Sequence, residues 1–155
     1  MAATFNGTPG GQPGLAVGCR DGAAVPSFDL DTVGLGTGSI WSTVRDLARW
    51  DRALADGEML SETARRAMFT VHVPVEDDDG LIRTEGYGYG WFIGTASGGR
   101  RIIYHSGDNP GYRSINACFP DDGVRLAVLS NEDATGLGPI VHDLITTAFP
   151  GNGAR

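Results

Sequence analysis

Residues 101–131 read RIIYHSGDNPGYRSINACFPDDGVRLAVLSN, and this stretch decides the fold. Two turn sequences interrupt it, Asn109-Pro110-Gly111 and Asp121-Asp122-Gly123, and they separate runs rich in aliphatic and aromatic residues. Short turns of this kind join neighbouring antiparallel strands. The sequence therefore predicts sequential hairpins built from strands over 101–105, 114–119 and 124–130.

A repeat of glycine and aromatic residues precedes these strands. Residues 86–91 alternate glycine with Tyr87, Tyr89 and Trp91, which predicts a strand with aromatic side chains on one face and bare backbone on the other. Such an aromatic stripe belongs to a core more often than to a binding wall, and a bare face favours close approach of another backbone or a ligand. With a turn at 97–99, the region 86–131 holds three or four strands.

Two helices are predicted upstream. Thr43 begins a capping box, and apolar residues then recur at helical spacing until Gly57, a helix-closing glycine. We expect Leu47 and Trp50 of this helix to lie in the core. A second, shorter helix begins after Ser61, and the acidic run 76–80 that follows it is predicted to be a solvated turn with too few ligands for calcium.

The chain ends in a third amphipathic segment. Apolar residues recur at helical spacing over 136–149, which predicts a C-terminal helix. One amphipathic helix on one face of an antiparallel sheet is an α+β pattern. At the other end of the chain, residues 1–41 are rich in glycine and proline and are predicted to be mainly loop.

Composition excludes several classes of function. The 155 residues carry 19 acidic and 12 basic side chains, a net charge of −7, which disfavours binding to nucleic acid or anionic lipid. All the basic residues are Arg, so no Lys base or Schiff-base amine is available in this sequence. No apolar run is long enough to span a membrane, and residues 1–14 do not form a secretory signal.

The cysteines and histidines make no cofactor site by their spacing. Cys19 and Cys118 match no metal or redox motif; they either pair in the fold or are two small buried side chains. The histidines are widely separated, and phosphate-binding and dinucleotide-binding motifs are missing from the sequence. We therefore predict no metal and no cofactor.

The segment 104–111 is the strongest candidate for chemistry. His105 and Ser106 place an imidazole and a hydroxyl at the end of a strand, and Gly107 lets a ligand touch the backbone. The alternative for His105 is a strand-end histidine bonded to a neighbouring carbonyl, and for Ser106 a hydroxyl that only caps backbone.

Five strings of residues, in this order and spacing, carry a resemblance to a known family: 37–50 (TGSIWSTVRDLARW), 86–91 (GYGYGW), 105–107 (HSG), 110–112 (PGY) and 129–131 (LSN). They resemble the serine β-lactamase-related family, which includes class C β-lactamases, D-alanyl-D-alanine carboxypeptidases, D-aminopeptidases and related esterases. The His-Ser-Gly triplet resembles the family's third motif, usually Lys-Thr-Gly or Lys-Ser-Gly. The resemblance covers about residues 34–149.

The resemblance implies a fold and residue roles. The fold is an antiparallel sheet flanked by helices, with a helical insert that carries the nucleophile. His105 would polarise a hydroxyl network or pair with a substrate carboxylate, while Ser106 and Gly107 would contact substrate. The backbone N–H of Asp108 would form half of the oxyanion hole. Asn131 would face substrate as in some relatives, or it forms a turn.

Two family motifs are missing. The nucleophile motif Ser-x-x-Lys cannot exist in a sequence without Lys, and no Tyr precedes Tyr87 to form Tyr-x-Asn. Residues 1–5 resemble an internal stretch of the family, and Cys19 stands where many relatives have Tyr. We therefore expect residues 1–155 to be a single partial domain, the C-terminal portion of a serine hydrolase, with 42–70 as the end of the helical insert.

The motifs present and missing define three possible functions. The first is the C-terminal part of a hydrolase that transfers acyl groups from an amide or ester, inactive by itself, with a small-molecule or peptide substrate. The second is a non-catalytic fragment or pseudoenzyme that binds a ligand or partner, including a chain with the missing half. A hydrolase that pairs Ser106 or Ser42 with His105 is disfavoured, since adjacent strand residues point to opposite faces. Self-association through an open apolar face is also expected.

Overall fold

The computed structural model describes residues 1–7, 13–25 and 37–150, and within them it is an α+β fold. The helices are α1 (Val44–Ala55), α2 (Glu62–Met68) and α3 (Gly138–Ala148). The strands are β1 (Phe5–Asn6), β2 (Cys19–Arg20), β3 (Ala23–Ala24), β4 (Ile40–Trp41), β5 (Val73–Asp78), β6 (Ile82–Tyr87), β7 (Phe92–Ala96), β8 (Arg100–Asn109), β9 (Tyr112–Phe119) and β10 (Val124–Ser130).

One antiparallel sheet dominates the described residues. Its order is β10-β9-β8-β7-β6-β5, so every strand lies beside its neighbours in sequence, as the predicted hairpins require. The turns at 97–99, 109–111 and 121–123 fall between strands where expected. β1 pairs with β4 and β2 with β3 in two small ribbons; the other parts of the loop-rich stretch, 8–12 and 26–36, lie outside the described residues.

The predicted helix signals are confirmed. The Thr43 hydroxyl accepts the Asp46 N–H at 3.2 Å at the start of α1, and Gly57 follows the helix with φ of +75°. The Ser61 hydroxyl accepts the N–H of Ala64 at the start of α2. Asp46 is almost fully buried, and its carboxylate accepts the N–H of Ala3 at 2.9 Å, which compensates for the loss of water.

Two strand predictions were wrong in the first half of the sheet. Residues 86–91 are not one strand, since β6 ends at Tyr87 and the chain turns before β7. The acidic run 76–80 is not simply a turn, because Glu76 to Asp78 belong to β5. β5 is an exposed edge strand, and its charges disfavour pairing with other chains. The alternation of polar and apolar residues is too weak there to mark a strand.

The glycines at 86 and 88 do allow close approach. A Cβ on Gly88 would lie 2.3 Å from the carbonyl oxygen of Met68, and one on Gly86 would lie 2.8 Å from that of Val73. The expectation that another backbone approaches this bare face is therefore confirmed, although the two glycines flank the end of β6 rather than lie along one strand.

The core lies between α3 and the sheet. Val141 and Ile145 of α3 pack with Ile102, Ile115 and Phe119 of the central strands. Helix α1 packs against β10, but Leu47 and Trp50 are only half-buried. The prediction that these two lie in the core was wrong; on α1 the buried positions are Asp46, Asp51 and Leu54.

The cysteines are both free and partly buried, so the pairing alternative fails. Burial raises the pKa of the Cys118 thiol to about 11, and the nearby carboxylate of Asp51 adds to this shift. Among the described helices, none has the length and apolar character needed to cross a bilayer.

Candidate functional site

The second half of β8 carries most of the predicted site residues. β8 pairs with β9 along its whole second half, up to Asn109 opposite Tyr112. On its other side the pairing with β7 stops at Tyr104, which lies opposite Phe92, the first residue of β7. Among the described strands none pairs with β8 on that side beyond Tyr104, and residues 105–108 are exposed. We call the side of 105–108 that faces away from β9 the open edge.

Backbone direction at the open edge follows from the register. Asn109 and Tyr112 flank a two-residue turn, so they form a hydrogen-bonded pair. Antiparallel strands alternate hydrogen-bonded and non-hydrogen-bonded pairs. Gly107 therefore bonds to β9, whereas the backbone N–H groups of Ser106 and Asp108 point toward the open edge. The backbone N–H of Asp108, the predicted oxyanion-hole donor, therefore has no partner on β9.

The His105 ring is held at both nitrogens. Nδ1 lies 2.6 Å from the backbone oxygen of Ser106, and Nε2 lies 2.9 Å from the hydroxyl of Tyr87. The ring also lies against Phe92, with centroids 5.4 Å apart. Because a carbonyl oxygen only accepts hydrogen bonds, Nδ1 carries the proton in this contact. The carbonyl contact matches the alternative interpretation of His105, but the Tyr87 contact was not expected from the sequence.

Ser106, Gly107 and Asp108 differ in their surroundings. Ser106 and His105 are adjacent on the strand, so their side chains leave opposite faces. A Cβ on Gly107 would lie 2.5 Å from the Ser114 hydroxyl on β9. The carboxylate of Asp108 is exposed and lies 2.7 Å from the guanidinium of Arg113.

Asn131 does not join this group. It follows Ser130, which is opposite Arg113 of β9, and Arg113 in turn is opposite Asp108, so Asn131 is two strands away from the open edge. Its amide donates to the carbonyl of Val17 at 2.8 Å. The structure therefore gives Asn131 a contact with the N-terminal segment, 114 positions away in the chain.

A buried carboxylate that the sequence did not reveal anchors the β8–β9 turn. Asp133 accepts the N–H of Gly111 at 2.7 Å and pairs with the Arg20 guanidinium, whose Nε lies 2.9 Å away. The Arg20 pair, followed by the Gly111 N–H, lowers the pKa of Asp133 to about 2. Arg113 donates to the Asp133 carbonyl as well. Arg20 and Asp133 are 113 positions apart, so no local pattern could have found them.

A second pair that the sequence did not reveal involves Asn116, the residue opposite His105 on β9. Asn116, opposite His105 in the register, donates from its amide to the Asp51 carboxylate at 2.8 Å and so links β9 to α1. Burial raises the pKa of Asp51. Oδ2 of Asp51 and Oδ1 of Asn116 are both buried without a hydrogen-bond partner in the described structure.

A cavity of about 510 Å³ lies elsewhere on the sheet. It is lined by α1, α2 and the first half of β8, including Asp51, Ile103 and Cys118. None of the five predicted site residues lines it. The open edge is therefore a surface feature of a strand and not the floor of this cavity.

Comparison with known proteins decides the family. The beta-lactamase family model matches residues 2–146, nearly the whole chain. The chain belongs to the beta-lactamase family. The resemblance inferred from the five motifs is thereby confirmed, and the α+β fold of the β-lactamase and transpeptidase type is confirmed with it.

The chain covers only part of the length of the proteins that it resembles. Penicillin-binding protein 4* of Bacillus subtilis (strain 168) is 33% identical over 98 residues, which are 63% of this chain and 21% of that protein. The octameric penicillin-binding protein homologue from Pyrococcus abyssi has a TM-score of 0.77 at 22% identity, over 95% of this chain and 34% of its own. The chain thus spans about a fifth to a third of these proteins.

An amidase has the same fold. The D-amino acid amidase from Ochrobactrum anthropi SV3, complexed with D-phenylalanine, superimposes with a TM-score of 0.76 at 24% identity. The match covers 95% of this chain and 49% of the amidase. At this identity the likeness establishes the fold and not the reaction.

Proposed function

We propose that this chain supplies the substrate-binding strand of a serine hydrolase of the beta-lactamase family, which transfers the acyl group of an amide or ester. The open edge carries the proposal, because it places the N–H of Asp108 where no described strand uses it. A backbone N–H in this position donates to a carbonyl oxygen, first in the bound substrate and more strongly to the oxyanion.

The other site residues have supporting roles in this proposal. Ser106 offers a second backbone N–H at the open edge, and Gly107 keeps one face of the strand free of a side chain. His105 organises the edge through its contact with the Ser106 carbonyl. We propose no contact between Asn131 and substrate, because its amide is bonded to the Val17 carbonyl.

The nucleophile is proposed to come from a Ser-x-x-Lys motif outside these residues, since the sequence has no Lys. Incubation with a reactive fluorophosphonate, followed by intact-mass analysis, should give no adduct. A stoichiometric adduct that disappears in His105→Ala would show that the 155 residues hold an active serine, and the proposed division of the site would be wrong.

Substrate binding is tested directly by NMR. In ¹H–¹⁵N spectra of the labelled chain, N-acetyl-D-phenylalanine amide should shift the amide signals of Ser106 and Asp108 more than those elsewhere in the sheet. The D-amino acid is chosen because of the amidase with the same fold. Shifts confined to the lining of the 510 Å³ cavity would contradict the proposal.

A pair of variants isolates the backbone donor. Asp108→Pro removes the N–H that faces the open edge without removing a bond to β9, so the sheet should persist. Asp108→Asn keeps the N–H and removes the charge that pairs with Arg113. The proposal requires that the proline variant lose binding and the asparagine variant retain it; equal binding by both would exclude Asp108 N–H as the donor.

We propose that the partner of this chain is a second copy of itself. β10 is an edge strand, and Leu129, Ile140 and Leu144 are exposed by 41%, 49% and 40%. An apolar strand edge beside an apolar helix face favours pairing with a second copy. Light scattering should show dimers or larger species that Leu144→Asp converts to monomers; a wild-type monomer at high concentration would refute this.

A further inference from the structure

The 510 Å³ cavity lies on the face of the sheet that carries α1 and α2, opposite the face that packs on α3. Ile103 of β8 and Arg125 of β10 both lie opposite Cys118 of β9 in the register. Directly opposed residues of antiparallel strands project from the same face, and all three of these line the cavity. Ile102 and Ala117, their neighbours in the chain, belong to the core with α3. The cavity is therefore separate from that core.

The inner part of the cavity is apolar. Leu54 of α1 and Ile103 are buried and line it. Phe69 and Trp91, which also line it, pack edge to face with ring centroids 6.0 Å apart. Pockets that hold small molecules have volumes of roughly 300–1,000 Å³ and are mostly apolar with a few polar groups. The cavity has the size and the apolar lining of such a pocket.

The rim of the cavity is positively charged. Four arginines line it from three elements, and they are exposed or half-buried: Arg65 and Arg66 of α2, Arg101 of β8 and Arg125 of β10. Among the lining residues that the structure describes, Asp51 is the one with an acidic side chain, and it is buried. The whole chain has a net charge of −7, so this positive charge is a local feature. A cleft lined by one sign of charge attracts ligands of the opposite sign.

Most of this positive charge is not neutralised by carboxylates. Arg66 pairs with Glu62. The Arg65 guanidinium donates to carbonyl oxygens at the end of α1, and that of Arg101 donates to a carbonyl oxygen at 3.2 Å. In the described part of the chain no carboxylate lies within salt-bridge distance of Arg125. Three of the four guanidinium groups therefore keep an uncompensated charge.

Two of these charges act on the inside of the cavity. Burial raises the pKa of the Cys118 thiol to about 11 and Asp51 adds to the shift, whereas Arg125 and Arg101 act in the opposite direction. Both guanidinium groups therefore favour a negative charge in the cavity beside Cys118.

We propose that the cavity is a binding site for a small organic anion, a carboxylate with an apolar body, whose hydrocarbon part contacts the apolar lining and whose carboxylate lies near Arg101 and Arg125. Arginine donates two parallel charge-assisted hydrogen bonds to a carboxylate, and such bonds are about twice as strong as neutral ones. The site is distinct from the open edge and does not rest on the proposed function.

Three matched probes separate the roles of rim and lining. The ion α-naphthaleneacetate has an apolar body and a charge, α-naphthaleneacetamide has the same body without the charge, and acetate has the charge alone. In ¹H–¹⁵N titrations, naphthaleneacetate should shift the Cys118 and Arg125 amide signals. It should bind roughly tenfold more tightly than its amide and roughly thirtyfold more tightly than acetate. Equal affinity for naphthaleneacetate and either other probe would overturn the proposal.

A pair of variants tests the rim. Arg125→Gln removes an exposed guanidinium, so the fold should persist. It should weaken binding of naphthaleneacetate about tenfold and leave binding of the amide unchanged. Arg45→Gln on α1 is the control, because it removes the same charge from a residue outside the cavity lining. Equal losses in the two variants would reveal a general effect of net charge and would overturn the site. The three probes decide the question even if Arg125→Gln does not fold.

Other occupants predict different results. If a second copy of the chain fills the cavity, the affinity for naphthaleneacetate should fall as the chain concentration rises. If the rim is a site for free phosphate, inorganic phosphate should bind as tightly as naphthaleneacetate. Either result would overturn the proposal. The proposed function is judged separately, by the Ser106 and Asp108 signals with N-acetyl-D-phenylalanine amide, so each proposal can fail without the other.

Discussion

The two halves of β8 belong to one strand but differ in surroundings. Residues 100–104 pair with strands on both sides and include Ile102, which is completely buried. Residues 105–108 pair with β9 alone and are exposed. The difference arises because β7 is shorter than β8. A strand that extends beyond its neighbour has backbone N–H groups that are not paired within the sheet. Its buried half fixes the position of these groups.

The largest expected effect comes from the buried half. Ile102→Ala should destabilise the chain by about 2–5 kcal/mol, since it leaves a cavity between the sheet and α3. His105→Ala, in the exposed half, should cost only about 1 kcal/mol, from the hydrogen bonds of its ring. Urea unfolding of both variants tests the contrast. Equal losses would show that the open half is as structural as the buried half.

The next largest effect is expected at Asp133, which anchors the turn that follows residues 105–108. Asp133→Asn should weaken the Arg20 pair and free the turn at Gly111, with faster hydrogen exchange at the Gly111 amide. Asp143→Asn on α3, whose carboxylate is exposed, is the control and should leave that exchange rate unchanged. Normal protection in Asp133→Asn would mean that the turn does not depend on this carboxylate.

The same anchor predicts a pH dependence. The pKa of Asp133 falls from 3.8 to about 2 on folding, so its contribution to stability is complete above about pH 4 and is lost as the pH falls through 2. Melting temperatures of the wild type and Asp133→Asn should therefore converge at low pH. A difference that stays constant down to pH 2 would contradict the assignment.

A smaller effect on stability, of opposite sign, is expected at Asp51. Burial raises the pKa of Asp51, so ionisation above its ordinary value of 3.8 costs stability as the pH rises. Asp51→Asn should stabilise the chain by about 1 kcal/mol at neutral pH, because its amide can donate to the unpartnered oxygen of Asn116. The exposed Asp77→Asn serves as control. Destabilisation by Asp51→Asn would show that the carboxylate is ionised and needed.

The smallest effect on stability is expected within the open half. Gly107→Ala places a methyl group 2.5 Å from the Ser114 hydroxyl, which can rotate away, so the loss should be below about 1 kcal/mol. Thermal unfolding of this variant and of Gly107→Ala with Ser114→Ala checks the cause. A large loss that the second change does not relieve would point to the backbone instead.

Local signals made much of the fold predictable. The turn residues at 97–99, 109–111 and 121–123 and the capping residues Thr43 and Ser61 act within a few positions, and each is found where expected. The strand β5 was missed because its charged residues lack an apolar pattern. The aromatic repeat at 86–91 misled, since its glycines serve a turn and close packing at the end of β6.

The sequence alone determined the order of the hairpins, the family resemblance and the position of His105, Ser106, Gly107 and Asp108 near one strand end, because these depend on neighbouring residues. Only the tertiary structure decided that the pairing between β7 and β8 stops at Tyr104, which leaves the open edge without a second neighbouring strand. It also decided that Tyr87 meets His105 across 18 positions and that Asp133 meets Arg20 across 113. Such contacts depend on how strands and loops come together in space, which no local pattern records.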